Sequence, residues 1–261
     1  MNEQPTTNRI QGYFGRPRVL LPVIHLPHGI SGAIANVKIA MDAGADGVFL
    51  INQGMEIEEF PELIDRIRSQ SGTYGVGDRE RACEFLWIGI NALGMDPSAV
   101  VRKFGNDVDG IWSDDARVDA YGLDAIHEPL ARSAAELMEQ AINDTMWDGI
   151  YFGGTAFKSQ PEIPASHLGY LARIAMQCMD VITTSGRGTG MAADPEKLHA
   201  MHRVIGDHAL ALASGVTPEN ARRYLPYVDA FLVASGIEKS FGELDPARTK
   251  ALAEIIHAPV A

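Results

Sequence analysis

The sequence predicts a single α/β domain built as a (β/α)8 TIM barrel, and three observations carry that prediction. Eight short apolar runs rich in β-branched residues recur at a mean spacing of about 30 residues, the length of one βα unit. Several intervening segments open on a capping residue followed by proline and continue with apolar residues at helical spacing. The chain has 261 residues, close to the roughly 250 that eight such units need to close a barrel.

Residues 1–18 precede the first run and read as an N-terminal extension, with the barrel over 19–261. The runs are Val19-Leu20-Leu21-Pro22-Val23-Ile24, Gly47-Val48-Phe49-Leu50-Ile51, Leu86-Trp87-Ile88-Gly89-Ile90, Val108-Asp109-Gly110-Ile111-Trp112, Gly149-Ile150-Tyr151-Phe152, Asp180-Val181-Ile182-Thr183, Ala209-Leu210-Ala211-Leu212 and Ala230-Phe231-Leu232-Val233. Asp96-Pro97, Asp194-Pro195, Thr217-Pro218 and Asp245-Pro246 each set a side-chain oxygen before a proline whose missing N–H is tolerated in a first helical turn, so each is expected to start a helix. Leu198, Met201 and Ile205 then share one helical face, as do Leu252, Ile255 and Ile256, and both stripes should pack on the sheet. Residues 53–84, with Gly72, Gly75 and Gly77, exceed the bare repeat. They and the extension are open to reading as a lid, an oligomer contact or an inert insertion.

Composition narrows the partners. With 46% hydrophobic and 21% charged residues the chain is an ordinary globular one. Its formal net charge of −12 and pI near 5.1 argue against general affinity for a nucleic-acid backbone or an anionic membrane, both of which require a basic face. The two cysteines, Cys83 and Cys178, lack a second thiol at ligand spacing, so neither a disulfide framework nor a cysteine zinc site is expected. Met1 to Arg9 holds no apolar signal core, and no later stretch approaches the roughly 18 apolar residues of a membrane span. The expectation is a cytoplasmic protein.

In a barrel of this kind reacting groups gather at the C-terminal strand ends. Here the runs end in His25, Asn52, Asn91, Ser113-Asp114-Asp115, Gly153-Gly154-Thr155 with Lys158 close behind, Thr183-Thr184-Ser185, Ser214-Gly215 and Ser235-Gly236. The strongest local signal is the pair of similar endings Ala213-Ser214-Gly215-Val216-Thr217 and Ala234-Ser235-Gly236-Ile237. Small residues after strands seven and eight let backbone N–H groups approach a phosphate, a helix N-terminus would add its positive end, and Lys239 a direct charge. Tight turn packing is the alternative. Gly186-Arg187-Gly188-Thr189-Gly190 extends the same rim but is neither a dinucleotide fingerprint, since Met191 stands where a third glycine is needed, nor a P-loop, since no Gly-Lys-Ser/Thr follows. It reads as a ligand-contacting loop continuing from Ser185, with Arg187 reaching an anionic substrate, or more plainly as a connector.

His25 suits proton transfer or a substrate hydrogen bond, because imidazole titrates near neutral pH. Asp114 suits a general base, Asn91 a neighbour of the reacting carbons, and Lys158 a Schiff-base or general-acid residue if burial lowers its pKa. His25 and His28 with Asp114 would form a divalent-metal site only where their donors converge, and no other cofactor is expected. The remaining six histidines read as helix-surface or loop residues.

These residues bring a family into view. The chain resembles the BtpA-type barrel proteins, whose namesake is a photosystem I biogenesis protein and which include SgcQ-like bacterial members. The resemblance is clearest in Ser214-Gly215-Val216-Thr217-Pro218-Glu219-Asn220, in Val228 to Lys239 and in Leu244-Asp245-Pro246-Ala247-Arg248. It extends upstream through Ile24-His25-Leu26-Pro27, Ala43 to Val48, Gly89-Ile90-Asn91 and Thr189-Gly190. Gly94-Met95-Asp96 departs from the family's Arg-Asn-Asp run, and Pro27-His28-Gly29 only partly follows its proline-rich turn. The resemblance implies a barrel akin to phosphate-binding ones such as phosphoribosylanthranilate isomerase and supplies no settled reaction. The expected function is an isomerase or lyase acting on a small phosphorylated metabolite, a sugar phosphate or phosphoribosyl compound, in a homo-oligomer. The rivals are a non-catalytic assembly factor using the barrel as a platform and a metal-dependent hydrolase.

Overall fold

The computed structural model describes residues 8–70, 86–118 and 128–259. Gly72, Gly75, Gly77 and Cys83 lie outside the described residues. Eight parallel strands, β1 (Val19–His25), β2 (Val48–Ile51), β3 (Ile88–Asn91), β4 (Gly110–Ser113), β5 (Ile150–Gly154), β6 (Val181–Ser185), β7 (Ala209–Ala213) and β8 (Ala230–Val233), close in sequence order, β8 pairing back onto β1. Each begins within two residues of its predicted run. The helices are α1 (Arg9–Phe14), α2 (Gly29–Asp42), α3 (Phe60–Ser69), α4 (Pro97–Phe104), α5 (Glu128–Thr145), α6 (Ala165–Ala175), α7 (Pro195–Ile205) and α8 (Pro246–His257), with a short antiparallel hairpin, β9 (Glu238–Ser240) and β10 (Glu243–Leu244), after β8. Among the described residues no helix is long and apolar enough to cross a membrane.

Three of the four predicted helix starts hold: the carboxylates of Asp96, Asp194 and Asp245 each accept a first-turn N–H of α4, α7 and α8. Thr217-Pro218 opens no α-helix. Asn220 instead accepts the Thr217 N–H at 2.8 Å and donates to Gly215 O at 2.8 Å, closing a turn that leads only to a 3₁₀ segment, Ala221–Arg223. The predicted stripes pack as expected, with Leu198, Met201, Leu252 and Ile256 buried against the outer sheet face.

Inside the barrel the packing is lopsided. Strands β7 and β8 present Ala209, Ala211, Ala213 and Ala230, while Phe49, Trp87, Trp112 and Phe152 fill the other half in edge-on contacts with ring centroids 5.1 to 6.1 Å apart. Gly89 and Gly110 provide the room: an added Cβ would lie 2.3 Å from Phe49 Cε1 at the first and 2.4 Å from Trp87 Cζ2 at the second.

A repeated carboxylate sets strand register. Asp46, Asp109, Asp180 and Asp229, each just before an even-numbered strand, donate their N–H to the carbonyls of Leu20, Ile88, Tyr151 and Leu210 on the preceding odd strand. Each carboxylate accepts the N–H of that same residue at 2.8 to 2.9 Å. Burial raises the pKa of Asp109 and Asp229, against the pull of these hydrogen bonds and of Arg68 or Asn8. The N-terminal extension closes this end. Ile10 of α1 is fully buried in the interior cluster, Phe14 packs on Trp87 at 5.5 Å, Asn8 donates to Asp229 and Arg9 to Gly149 O. It plugs the rim opposite the strand C-termini, so it is no lid over a site there.

Candidate active site

Alternation along β1 carries Val19, Leu21 and Val23 into the interior and brings His25 to the mouth. His25 Nδ1 stands 2.8 Å from Glu238 Oε1 on β9, with the two side chains 14% and 7% exposed. Phe241 stacks on the imidazole, ring centroids 4.7 Å apart. His25 is level with Ile51, which is level with Asn91 on β3. Asn91, buried, donates from Nδ2 to Asp114 Oδ1 at 2.8 Å. Burial pushes the Asp114 carboxyl above its ordinary value, the Asn91 hydrogen bond and the Lys158 charge pull it back, and Asp115 pushes it up again. The mouth thus holds two hydrogen-bonded acid–base units, His25–Glu238 and Asp114–Asn91.

A cleft of about 230 Å³ opens beside Asn91 and Asp114, bounded also by Gly94, Met95, Trp112 and Arg117. The Trp112 Nε1–H is buried and has no partner among the described residues, nor has the hydroxyl of Thr155.

Across the mouth the turns after β6, β7 and β8 stack backbone on backbone. A Cβ on Gly215, whose φ is +72°, would lie 1.9 Å from Met191 O, and one on Gly236 would lie 1.7 Å from Val216 O. Gly190 donates its N–H to Ser214 Oγ at 3.0 Å, and Ser235 Oγ lies 3.6 Å from where a Gly190 Cβ would be. The N–H groups of Gly215, Ser235 and Gly236 have no acceptor among the described residues. The close packing and the free donors therefore coexist in the same turns.

No protein-family model matches the chain, and no curated protein does. Among solved structures, it is similar to phosphoribosyl anthranilate isomerase from Thermus thermophilus (16% identity, 91% of this chain and 97% of that one, TM-score 0.56). It is also similar to tryptophan synthase from Mycobacterium tuberculosis (13%, 97% and 100%, 0.63). A third is (S)-3-O-geranylgeranylglyceryl phosphate synthase from Thermoplasma acidophilum in complex with its substrate sn-glycerol-1-phosphate (12%, 98% and 99%, 0.62). The likeness is one of fold.

The other predicted residues divide. Ser185 Oγ accepts the Lys158 N–H at 2.8 Å and donates to Gly186 O, and its carbonyl accepts Lys197 Nζ at 2.8 Å, so it is consumed by its own loop. Gly186 is buried against Met191 O, and Gly188, half-buried, lies beside the Met191 side chain. Arg187 pairs with Glu162 at 2.6 Å, both largely exposed, and Lys239 with Glu243 at 2.9 Å within the hairpin. Neither cation is directed at the Gly215–Gly236 turns. Lys158 lies over Phe157, its ammonium 5.7 Å from the ring centroid. Asn52 ties two loops together through the Leu93 N–H. The helix N-terminus expected after β8 is replaced by the β9–β10 hairpin. Among the described residues no group of three or more His, Cys, Asp or Glu gathers to hold a metal, so His25, His28 and Asp114 form no ligand set.

Sequence reasoning missed Glu238 and Lys197. Glu238 lies in the segment quoted for the family resemblance, but only the fold-back of the hairpin brings it to His25. Lys197, whose ammonium reaches Ala156 O and Ser185 O from α7, carried no signal beyond its place after Asp194-Pro195.

Proposed function

We propose that this chain is an enzyme that binds a small phosphorylated metabolite and moves a proton on it, in isomerase or lyase chemistry. The observation that carries the reading is the pairing of His25–Glu238 with Asp114–Asn91 at one end of the barrel, across from turns with unused N–H donors. Gly215, Ser235 and Gly236 would receive the phosphate through backbone N–H groups, which suits a chain with a surplus of acidic side chains. His25 would take a proton from carbon, and Asp114, raised by burial, is suited to hold one and return it. Proton transfer of this kind needs no redox cofactor.

Support also comes from the company of the fold: the similar Thermoplasma enzyme holds sn-glycerol-1-phosphate, and a phosphoribosyl anthranilate isomerase of the same fold holds a reduced deoxyribulose 5-phosphate compound. Kinship with BtpA-type barrels belongs to the same proposal and rests on the quoted motifs alone. Isothermal titration of the folded protein with ribose 5-phosphate, sn-glycerol 1-phosphate and inorganic phosphate tests it. Binding of at least one, weakened in Gly236→Ala, is expected. No heat with any of them would refute the reading.

A further inference from the structure

We infer that Glu238 is the positioning residue of His25, fixing the neutral imidazole as its Nδ1–H tautomer and leaving Nε2 as the basic nitrogen at the barrel mouth. This deepens the proposed function and rests on it only for the assignment of His25 to proton transfer.

The chain after β8 turns into the β9–β10 hairpin and folds back over the end of β1. Two contacts hold the hairpin there. Asn36 on α2, 4% exposed, donates to Gly242 O at 2.8 Å and accepts the Leu244 N–H at 3.0 Å. Gly242 is seated on Pro27, so closely that an added Cβ would lie 2.4 Å from its Cγ. Glu238 is thus presented to His25 from a clamped loop and not from a mobile one.

The direction of the hydrogen bond follows from what else the oxygen does. Glu238 Oε1 accepts the Gly242 N–H at 3.1 Å as well as facing His25 Nδ1 at 2.8 Å. A carboxylate only accepts, so the imidazole proton sits on Nδ1. Both side chains are largely buried, so water competes weakly for that bond. Phe241 lies over the ring, tilted 32° to it. Nε2 has no partner among the described residues, yet it is not sealed from solvent. A histidine side chain free in water prefers the opposite, Nε2–H tautomer, in which the nitrogen at the mouth could not accept a proton. A carboxylate on the far nitrogen reverses that preference, as an orienting group does for a general base.

Long-range proton–nitrogen spectra of protein labelled with ¹⁵N-histidine read the tautomer directly, at a pH where the imidazole is neutral and with His25→Gln to assign the signal. Wild type should show Nδ1–H. Glu238→Gln should retain it, because the amide oxygen still accepts. Glu238→Ala should make Nε2–H the major form. Phe241→Ala loosens the same hairpin without touching the hydrogen bond and should leave Nδ1–H in place. An Nε2–H wild type, an unchanged tautomer in Glu238→Ala, or equal loss in Phe241→Ala would each overturn the inference. The spectra need no ligand, so failure to bind phosphate, which refutes the proposed function, is distinguishable from failure here.

Discussion

Gly236→Ala probes the proposed phosphate cradle with a single methyl group. The new Cβ would stand 1.7 Å from Val216 O, whereas ordinary contact begins at 3.4 Å, so the turns after β7 and β8 must part by about 1.7 Å. Both contact partners are backbone, so no side-chain rotation relieves the clash. Overpacking of this kind costs about 1–3 kcal/mol, which in a domain of this size lowers Tm by roughly 2–12 °C. The effect on a bound phosphate is larger in kind. A donor 2.9 Å from a phosphate oxygen would move beyond hydrogen-bond range, and each charge-assisted bond lost is worth about 1.5–3 kcal/mol. Affinity should therefore fall about 10- to 150-fold per bond lost. Titration calorimetry with inorganic phosphate and ribose 5-phosphate, run beside thermal unfolding, separates the two effects. A folded Gly236→Ala protein that binds both as wild type does would refute the placement of the phosphate at these turns.

Asp114→Asn should lower turnover by about 10²-fold or more on any substrate found, while stability at neutral pH is equal or higher. Burial sets the folded pKa of Asp114 above its unfolded value, so the native state binds the extra proton in between and stability falls as pH rises through that window. The advantage of the asparagine protein should therefore vanish as pH drops toward the ordinary carboxylate range, and chemical denaturation across pH would show this. Ile10→Ala empties a fully buried position in the plug at the N-terminal rim and should cost about 2–5 kcal/mol. The measurement is denaturant unfolding, and a loss below about 1 kcal/mol would mean that α1 does not help to close the barrel. Asn36→Ala leaves Gly242 O and the Leu244 N–H without their buried partner and should cost about 1–3 kcal/mol. Faster amide exchange confined to residues 238–244 would accompany it.

What could be read beforehand followed from local physics. The eight runs are short and apolar, most of them with β-branched residues, and the three aspartate–proline pairs satisfy first-turn N–H groups whatever the tertiary context. His25, Asn91 and Asp114 were legible as candidates because each stands at or just past the C-terminal end of a predicted strand, where a barrel gathers its functional groups. What could not be read depends on chain returning from a distance. Thr217-Pro218 looks like its three counterparts, but Asn220 accepts the N–H of Thr217 itself and donates back to Gly215 O, closing a turn where the helix would start. Glu238 is 213 residues from His25 in sequence, and only the replacement of a helix by a hairpin joins them. Arg187 and Lys239 were natural phosphate ligands by charge, yet each has an acidic neighbour within reach of its long side chain.

The two ends of the barrel use ionisable groups in opposite ways. At the N-terminal rim Asp46, Asp109, Asp180 and Asp229 are each committed to a strand N–H and to a second partner: Arg16 and His257 for Asp46, Arg68 for Asp109, Arg9 for Asp180, Asn8 for Asp229. These four carboxylates are committed to the fold, and the plug of α1 shields the interior behind them. At the C-terminal rim the groups pair with each other, and each pair leaves something unused: Nε2 of His25, the raised carboxyl of Asp114, the donors of Gly215, Ser235 and Gly236. The committed carboxylates contribute register and stability, whereas the unspent donors and acceptors at the mouth are open to a ligand. On the proposed reading the chemistry sits at the mouth, with His25, Asn91 and Asp114, and substitutions there should damage function more than folding.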